Sequence, residues 1–407
     1  MFQYLKNIDF ILLLAVVGLI FLGLMALYSS SHPSLDAGFG NNYFLKQVIW
    51  ILIGFGLIII LYFLPNRWIY ASAYYFYGLS LFFLLLVIFV GKMGQGAERW
   101  LQIGPVSFQP SEFAKFATIL AVAKFLSRDE ANPNHIPDFL IASIFVVVPF
   151  TMIIRQPDLG TSMVFLAISL PMFFWAGLKL SNLLLIAMPI FIILASFHFF
   201  TFLVLMLILV VYLVLSHRSK LILISNFLLN IVMGLLTPVL WNNLKPYQRN
   251  RIKIFLNPES DPRGAGYQII QSKVAIGSGG GLGKGFMQGS QTQLRFLPEQ
   301  HTDFIYAVVG EELGFLGALT GLTLFFVLLI RGVQIASMVK NKFNSIVAVG
   351  IVTVIAFHMI INIGMTIGLF PVTGLPLPFI SYGGSAMVTN LVMIGILLNF
   401  YKNRYEY

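Results

Sequence analysis

"ILLLAVVGLIFLGLMALY", residues 11–28, carries no charge and no proline. As a helix it would rise about 27 Å, close to the thickness of a bilayer's hydrocarbon core. Runs of this kind recur along a chain that is 58% hydrophobic and only 10% charged, with a mean hydropathy of +0.89. A soluble core has no use for so many uninterrupted apolar stretches of about 17 to 25 residues. Lipid offers the backbone no hydrogen bonds, and the runs far exceed the strands of a barrel. The expected fold is therefore an all-α polytopic membrane protein, a helical bundle. The first run, near 9–28, is longer than a signal-peptide core and lacks a small-x-small cleavage site, so it reads as a retained helix.

About 12 spans are predicted, near 9–28, 46–64, 69–90, 111–126, 139–154, 161–177, 181–198, 200–216, 220–241, 304–330, 345–369 and 381–401, within one integral membrane domain, 1–407. With the N-terminus inside, the short inner connections carry most of the basic residues, among them Arg67, Lys179, Lys340, Lys342 and Lys402. The short outer ones carry only Lys46, Lys92, Arg99 and Arg155. That asymmetry fixes the orientation and leaves the two longest polar segments, 91–110 and 242–303, outside. The net charge of +10 is scattered between spans, where it anchors topology, so no nucleic-acid partner is expected. With no cysteine there is neither disulfide nor thiolate chemistry.

Within the 242–303 loop, "GSGGGLGKG" at 277–285 imitates a phosphate loop and fails the pattern twice. Ser278 stands where the first glycine is needed, and Gly285 replaces the hydroxyl residue that would meet magnesium. Two readings remain. The run is a flexible external linker, or its backbone N–H groups, with Lys273, Lys284 and Arg263, form a cradle for an oxyanion or pyrophosphate.

Other polar residues stand out against the apolar background. Glu112 and Lys115 are i, i+3 on a helix that starts after Pro110, so they share one face, either as a structural ion pair or as working groups. Glu311 and Glu312 cannot both face lipid; one at least turns inward, to pair with a loop base or to act on substrate. Gly310 and Gly314, four apart, are suited to close helix packing. Asp158, between Pro157 and Gly160, either caps the following helix or faces a cavity. Arg99 and Trp100 suit the headgroup level or a sugar ring, and His301 is an external histidine with no second metal-type ligand at a useful spacing. Arg249, Arg251 and Lys253 form a basic face that suits headgroups or an anionic substrate. The proline- and glycine-rich stretch at 368–385 lies between two spans, where non-helical backbone is tolerated if protein or a cavity covers it.

"FLNPESDPRGAGYQIIQSKVAIGSGGGLGKGFMQGSQTQLRFLPEQHTDFIYAVVGEELGFLG" (255–317) closely resembles the signature of the SEDS family. So do "RWLQIGPVSFQPSEFAK" (99–115), "RQPDLGT" (155–161), "PYQRNRI" (246–252) and "PVTGLPLPFISYGGS" (371–385), in the family's order and along nearly the whole chain. The resemblance implies a peptidoglycan glycosyltransferase that polymerises lipid II on the outer face of the bacterial cytoplasmic membrane. It favours the elongation branch over the division branch, with a class B penicillin-binding protein and the elongation machinery as partners. It implies Asp261 as the catalytic carboxylate, a general base for the acceptor hydroxyl, with Glu259 as fallback. It makes Glu112 a proton relay or tuning group and Lys115 a phosphate contact, both counted with Asp261 as catalytic candidates; Arg99, Trp100, Asp158, Arg249, Lys273, Lys284, His301 and Glu312, singled out by their own chemistry, are the substrate-binding candidates. No tightly bound cofactor is implied, while a divalent cation, Mg or Mn, can accompany the substrate pyrophosphate. The sequence departs from the family's usual ten spans at 181–240, an extra pair before the large loop. A lipid flippase and a structural scaffold are the competing readings, but charge is concentrated in the external loop rather than at mid-membrane.

Overall fold

The computed structural model describes residues 8–31, 42–90, 92–94, 97–103, 106–215, 220–244, 246–261 and 265–406. They form two compact units, one of Met1–Ala176 with Ile254–Tyr407 and one of Gly177–Lys253.

The first unit holds α1 (Phe10–Ser31), α2 (Tyr43–Phe63), α3 (Asn66–Val90), α4 (Pro110–Leu126), α5 (Ile136–Arg155) and α6 (Leu159–Trp175). The second holds α7 (Leu180–Ala195), α8 (Phe199–Leu215) and α9 (Lys220–Asn243), and α10 (Pro246–Leu256) begins in it. Back in the first unit come a 3-10 turn (Pro258–Ser260), α11 (Ala265–Gly279), α12 (Ser290–Gln293), α13 (Ile305–Met338), α14 (Lys342–Thr366) and α15 (Gly384–Lys402). Every predicted span is a helix. Among the described residues eight helices are long and apolar enough to cross a membrane, while α6, α7 and α8 are apolar but only 17, 16 and 17 residues long. In the second unit the three helices, two more than the family pattern foresees before the large loop, pack around a core of Leu185, Ile192, Met206, Leu209 and Leu213.

Burial ranks the spans of the first unit. The apolar windows of α14 and α15 are 67% and 72% buried, against 22% for α2, so α14 and α15 run through the middle and α2 meets lipid. α4 joins the centre, with nearly all its side chains enclosed.

The helical bundle is as expected, and three details depart from the sequence expectations. Three short strands, β1 (Lys92–Gly94), β2 (Ala97–Ile103) and β3 (Val106–Phe108), pair as a small antiparallel sheet. Alternation supplies the signal: Leu101 pairs with Phe108 and Ile103 with Val106, with Gln102 opposite Ser107 between them. The polar loop is itself largely helical. In α11 the residues Gly266, Ile269, Ser272, Ala275 and Gly279 form a buried stripe at spacings of three and four, disguised by its glycines and serine.

The third departure is in α13, which is broken at Gly314 (φ 66°, ψ −161°), a conformation reserved for glycine. Gly314 therefore ends a short first segment of α13, and both glycines serve close packing, Gly310 against Ile276 of α11 and Gly314 against Gly283. The glycine run docks into this break. Lys284 and Gly285 donate their backbone N–H groups to the carbonyls of Glu311 and Glu312 at 3.0 and 3.1 Å, and Phe315 and Leu316 donate to Gly280 and Gly281 at 2.9 and 3.1 Å. Gly283 is also at positive φ (82°), and a Cβ there would overlap the Glu312 carbonyl. Gly283→Ala is expected to cost about 1–3 kcal/mol, seen as a lowered Tm in detergent, whereas Gly281→Ala, which meets nothing within 4 Å, should be silent.

Residues 367–383 are non-helical; the segment starts exposed, at Ile367 and Leu369, and becomes enclosed at its centre, where Leu375, Leu377, Phe379 and Ile380 are at most 2% exposed. Protein covers that central backbone, the condition under which irregular backbone is tolerated within a membrane domain. Gly23 of α1 makes room for it, since a Cβ there would lie 2.6 Å from Ile380 Cα. The Gln47 amide holds it from α2, donating to the Ser381 carbonyl and accepting from the Gly383 N–H, both at 3.2 Å.

Candidate active site

The charged pair on α4 is buried inside the bundle and complete. Pro110 occupies the first turn, and Glu112 follows it near the positive end of the helix dipole. Lys115 Nζ donates to Glu112 Oε1 at 2.8 Å and to His358 Nε2 of α14 at 2.9 Å. An ammonium has only donors, so Nε2 must be the bare nitrogen of the imidazole. The proton then sits on Nδ1, which donates to the Pro376 carbonyl at 3.1 Å. Glu112, Lys115 and His358 are each at most 3% exposed. A carboxylate, an ammonium and a neutral imidazole thus form a chain that ends on the backbone of the 367–383 segment. His358 escaped the sequence reading, although a lone histidine inside an apolar span is a signal in its own right.

The same segment leads outward to the loop. Ser272 of α11 donates its hydroxyl to the Thr366 carbonyl at 2.7 Å, and Lys273 lies across Gly368 with its side chain exposed. Asp261 precedes α11. It ends the 3-10 turn with its N–H 3.4 Å from the Pro258 carbonyl, and its residue is exposed. Gly266 lets the turn sit on the start of α11, because a Cβ there would meet the carbonyls of Pro258 and Asp261. Glu259, within the turn, is exposed too.

The remaining candidates fall into separate settings. Glu311 accepts from Lys284 Nζ (2.9 Å), from the N–H groups of Gln291 and Thr292 (2.9 and 3.1 Å) and from Thr292 Oγ1 (2.8 Å). It is the loop-paired carboxylate, and it engages Lys284 on which the proposed cradle depended. The backbone N–H groups of Gly283, Lys284 and Gly285 are likewise spent on the Gly279, Glu311 and Glu312 carbonyls, so the glycine run is a docking element rather than an open anion nest. Glu312 is buried and accepts from Ser29 of α1, whose hydroxyl also receives Gln293 Nε2 at 3.0 Å.

Asp158 caps α6, accepting from the Thr161 N–H at 3.0 Å and the Thr161 hydroxyl at 2.9 Å. His301 stacks on Tyr43 with ring centroids 4.3 Å apart, beside Tyr382. Burial pushes its imidazole below the ordinary value, against a smaller upward pull from Glu299. Trp100 lies on β2, partly buried, opposite Lys92. Arg99 lies on the same strand with its side chain outside the described residues, as is Arg263 entirely. Arg249 sits on α10 in the second unit. Among the described residues no three His, Asp or Glu side chains converge as a metal cage.

An apolar cavity of about 410 Å³ opens between α2, α3, α4 and α15, walled by side chains such as Trp50, Leu57, Phe76, Phe113 and Val392.

Comparison with known proteins bears on this arrangement. The family described as "Cell cycle protein", FTSW_RODA_SPOVE, matches residues 10–201 and 182–406. The peptidoglycan glycosyltransferase MrdB of Escherichia coli is 35% identical over 399 residues, covering 98% of this chain and 94% of its own. Among solved structures, the rod shape determining protein RodA of Thermus thermophilus superposes with a TM-score of 0.65 at 25% identity, covering 98% of each chain. A chain from a study of how a peptidoglycan synthase complex coordinates polymerisation and crosslinking gives a TM-score of 0.75 at 29% identity, covering 98% of this chain and 99% of that one.

Proposed function

This chain belongs to the FtsW–RodA–SpoVE family, the SEDS family, and is a membrane-embedded peptidoglycan glycosyltransferase; from that premise we propose that it polymerises lipid II for cell elongation, with Asp261 as the general base. The observation that carries the proposal is the path from the loop to the buried ion pair. The Asp261 turn packs on the start of α11 at Gly266, Ser272 of α11 bonds to the Thr366 carbonyl, and the 367–383 segment that follows bonds through Pro376 to His358, Lys115 and Glu112.

In this mechanism the Asp261 carboxylate takes the proton of the acceptor hydroxyl as that oxygen attacks the sugar carbon bearing the lipid pyrophosphate. The carbon–oxygen bond to the pyrophosphate breaks, and the leaving group keeps the electron pair. Lys273, exposed beside the non-helical segment, is the loop cation positioned to meet that negative charge; Lys284 is already neutralised by Glu311. Lys115 and Glu112 lie beneath, where they fix the electrostatics and the shape of the segment rather than exchange protons with bulk water. The apolar cavity on the lipid-facing side suits the polyprenyl chain. Because the described residues form no cage, a Mg or Mn ion would ride mainly on substrate phosphates, and no step depends on it.

We also propose that the reaction takes place on the outer face of the cytoplasmic membrane and that a class B penicillin-binding protein is the partner. The synthase-complex likeness and the asymmetry of basic connections support those two points.

The deciding experiment supplies purified protein, alone and with its transpeptidase, with labelled lipid II. Glycan polymer on a gel is expected. Lipid movement across proteoliposomes with no polymer would replace the polymerase with a flippase.

A further inference from the structure

α14 runs from Lys342 to Thr366, and Thr366 meets the loop layer, so Lys342 marks the opposite end of the first unit. Six helix ends converge there, those of α2, α3, α4, α13, α14 and α15, around a cavity of about 780 Å³. Its wall carries Arg67, Lys340, Lys342 and Lys402 against only Asp129 and Glu406. The ion pairs among the described residues are Glu112–Lys115, Lys284–Glu311 and Asp9–Arg331, and none draws on Arg67, Lys342 or Lys402. Lys402 donates to the Tyr62 carbonyl at 3.3 Å and lies 4.8 and 5.1 Å from the Tyr62 and Phe63 ring centroids, contacts that fix its position without cancelling its charge. Two of the six helix ends are N-termini, those of α3 and α14, and four are C-termini, so the helix dipoles add no net positive charge and the cationic character of the cavity rests on its side chains.

Topological anchoring requires basic residues near the membrane, but it does not require four of them to share one concavity. Among the described residues Arg67, Lys342 and Lys402 enter none of those ion pairs, and they outnumber the two wall carboxylates, so the concavity keeps a net positive charge that an anion would relieve. Depth identifies the setting: Phe63, Trp68 and Tyr70, at 60%, 58% and 40% exposed, stand beside the cavity as an aromatic belt at headgroup level.

We propose that this pocket binds a phosphate-bearing anion, in the membrane the phosphodiester headgroup of an anionic phospholipid. Arg67 offers a two-pronged donor set for phosphate oxygens, and the lysines add point charges. The volume exceeds a bare phosphate and accommodates the glycerol of a headgroup as well.

The test is thermal unfolding of the full chain in detergent during titration with phosphatidylglycerol, phosphatidylcholine or inorganic phosphate. Phosphatidylglycerol is expected to raise Tm saturably and phosphatidylcholine not to. The R67Q/K342Q protein should need at least about tenfold more phosphatidylglycerol. R128Q, which removes an exposed cation just outside the cavity, should titrate like wild type. Inorganic phosphate that reproduces and competes with the lipid effect would identify a soluble phosphate as the ligand; silence from inorganic phosphate would identify the lipid. Equal responses to the two lipids in the wild type, a comparison that needs no variant to fold, would overturn the proposal. So would R67Q/K342Q behaving as wild type, or R128Q losing as much.

Discussion

The Asp261→Asn protein is expected to fold normally and to form glycan polymer about 100- to 10,000-fold more slowly than wild type. The size follows from the role: a positioned base that accepts the hydroxyl proton in the transition state contributes that much, and an amide cannot accept it. Normal folding follows from the setting, because Asp261 is exposed at the end of a short turn and its removal opens no cavity. Polymer from labelled lipid II and Tm in the same detergent separate the two effects. Glu259, exposed two residues earlier, provides the internal comparison: Glu259→Gln should retain most activity. A well-folded Asp261→Asn protein that polymerises at the wild-type rate would remove the general-base assignment, and a well-folded but inactive Glu259→Gln protein beside it would transfer the role to Glu259.

Lys115→Met should instead damage the fold. It leaves the Glu112 carboxylate, 3% exposed, without its ammonium, and it removes the only partner shown for His358 Nε2. Breaking one side of such a buried pair costs about 3–5 kcal/mol. The double substitution Glu112→Gln with Lys115→Met removes both charges and should recover a large part of that loss in Tm. Activity should stay low in both proteins, because the bonded chain to Pro376 is gone in each. Recovery of stability together with full activity would reduce the pair to scaffolding, and an unchanged Tm in the single variant would show that Glu112 does not depend on Lys115.

The spans were legible because lipid imposes a local rule: each must be apolar over its own length, as in residues 11–28, whatever lies beside it. The i, i+3 placement of Glu112 and Lys115 was legible for the same reason, since both belong to one helix. What failed to show was set by distant partners. The pairing of Glu311 with Lys284 spans 27 residues, and that of Lys115 with His358 spans 243. Nothing in "GSGGGLGKG" announces that its N–H groups will be used by a helix break some thirty residues later, so an open anion cradle and a docking strip look alike in sequence. α11 hid behind its own composition, because a buried stripe made of glycine, serine and alanine has little hydrophobic contrast.

The break at Gly314 has a consequence for biogenesis. Glu311 and Glu312 precede a long apolar helix, and unpaired carboxylates there would oppose membrane insertion, by less than the roughly 2.5–3.5 kcal/mol each would cost at the centre of a span. Their side-chain partners Ser29, Lys284, Ser290, Thr292 and Gln293 all lie upstream in the chain. A ribosome delivers the chain from its N-terminus, so the hydroxyls, the ammonium and the start of α12 are in place before either acid emerges. The acids can be received as they are made, and the apolar remainder of α13 then enters the bilayer as an ordinary span.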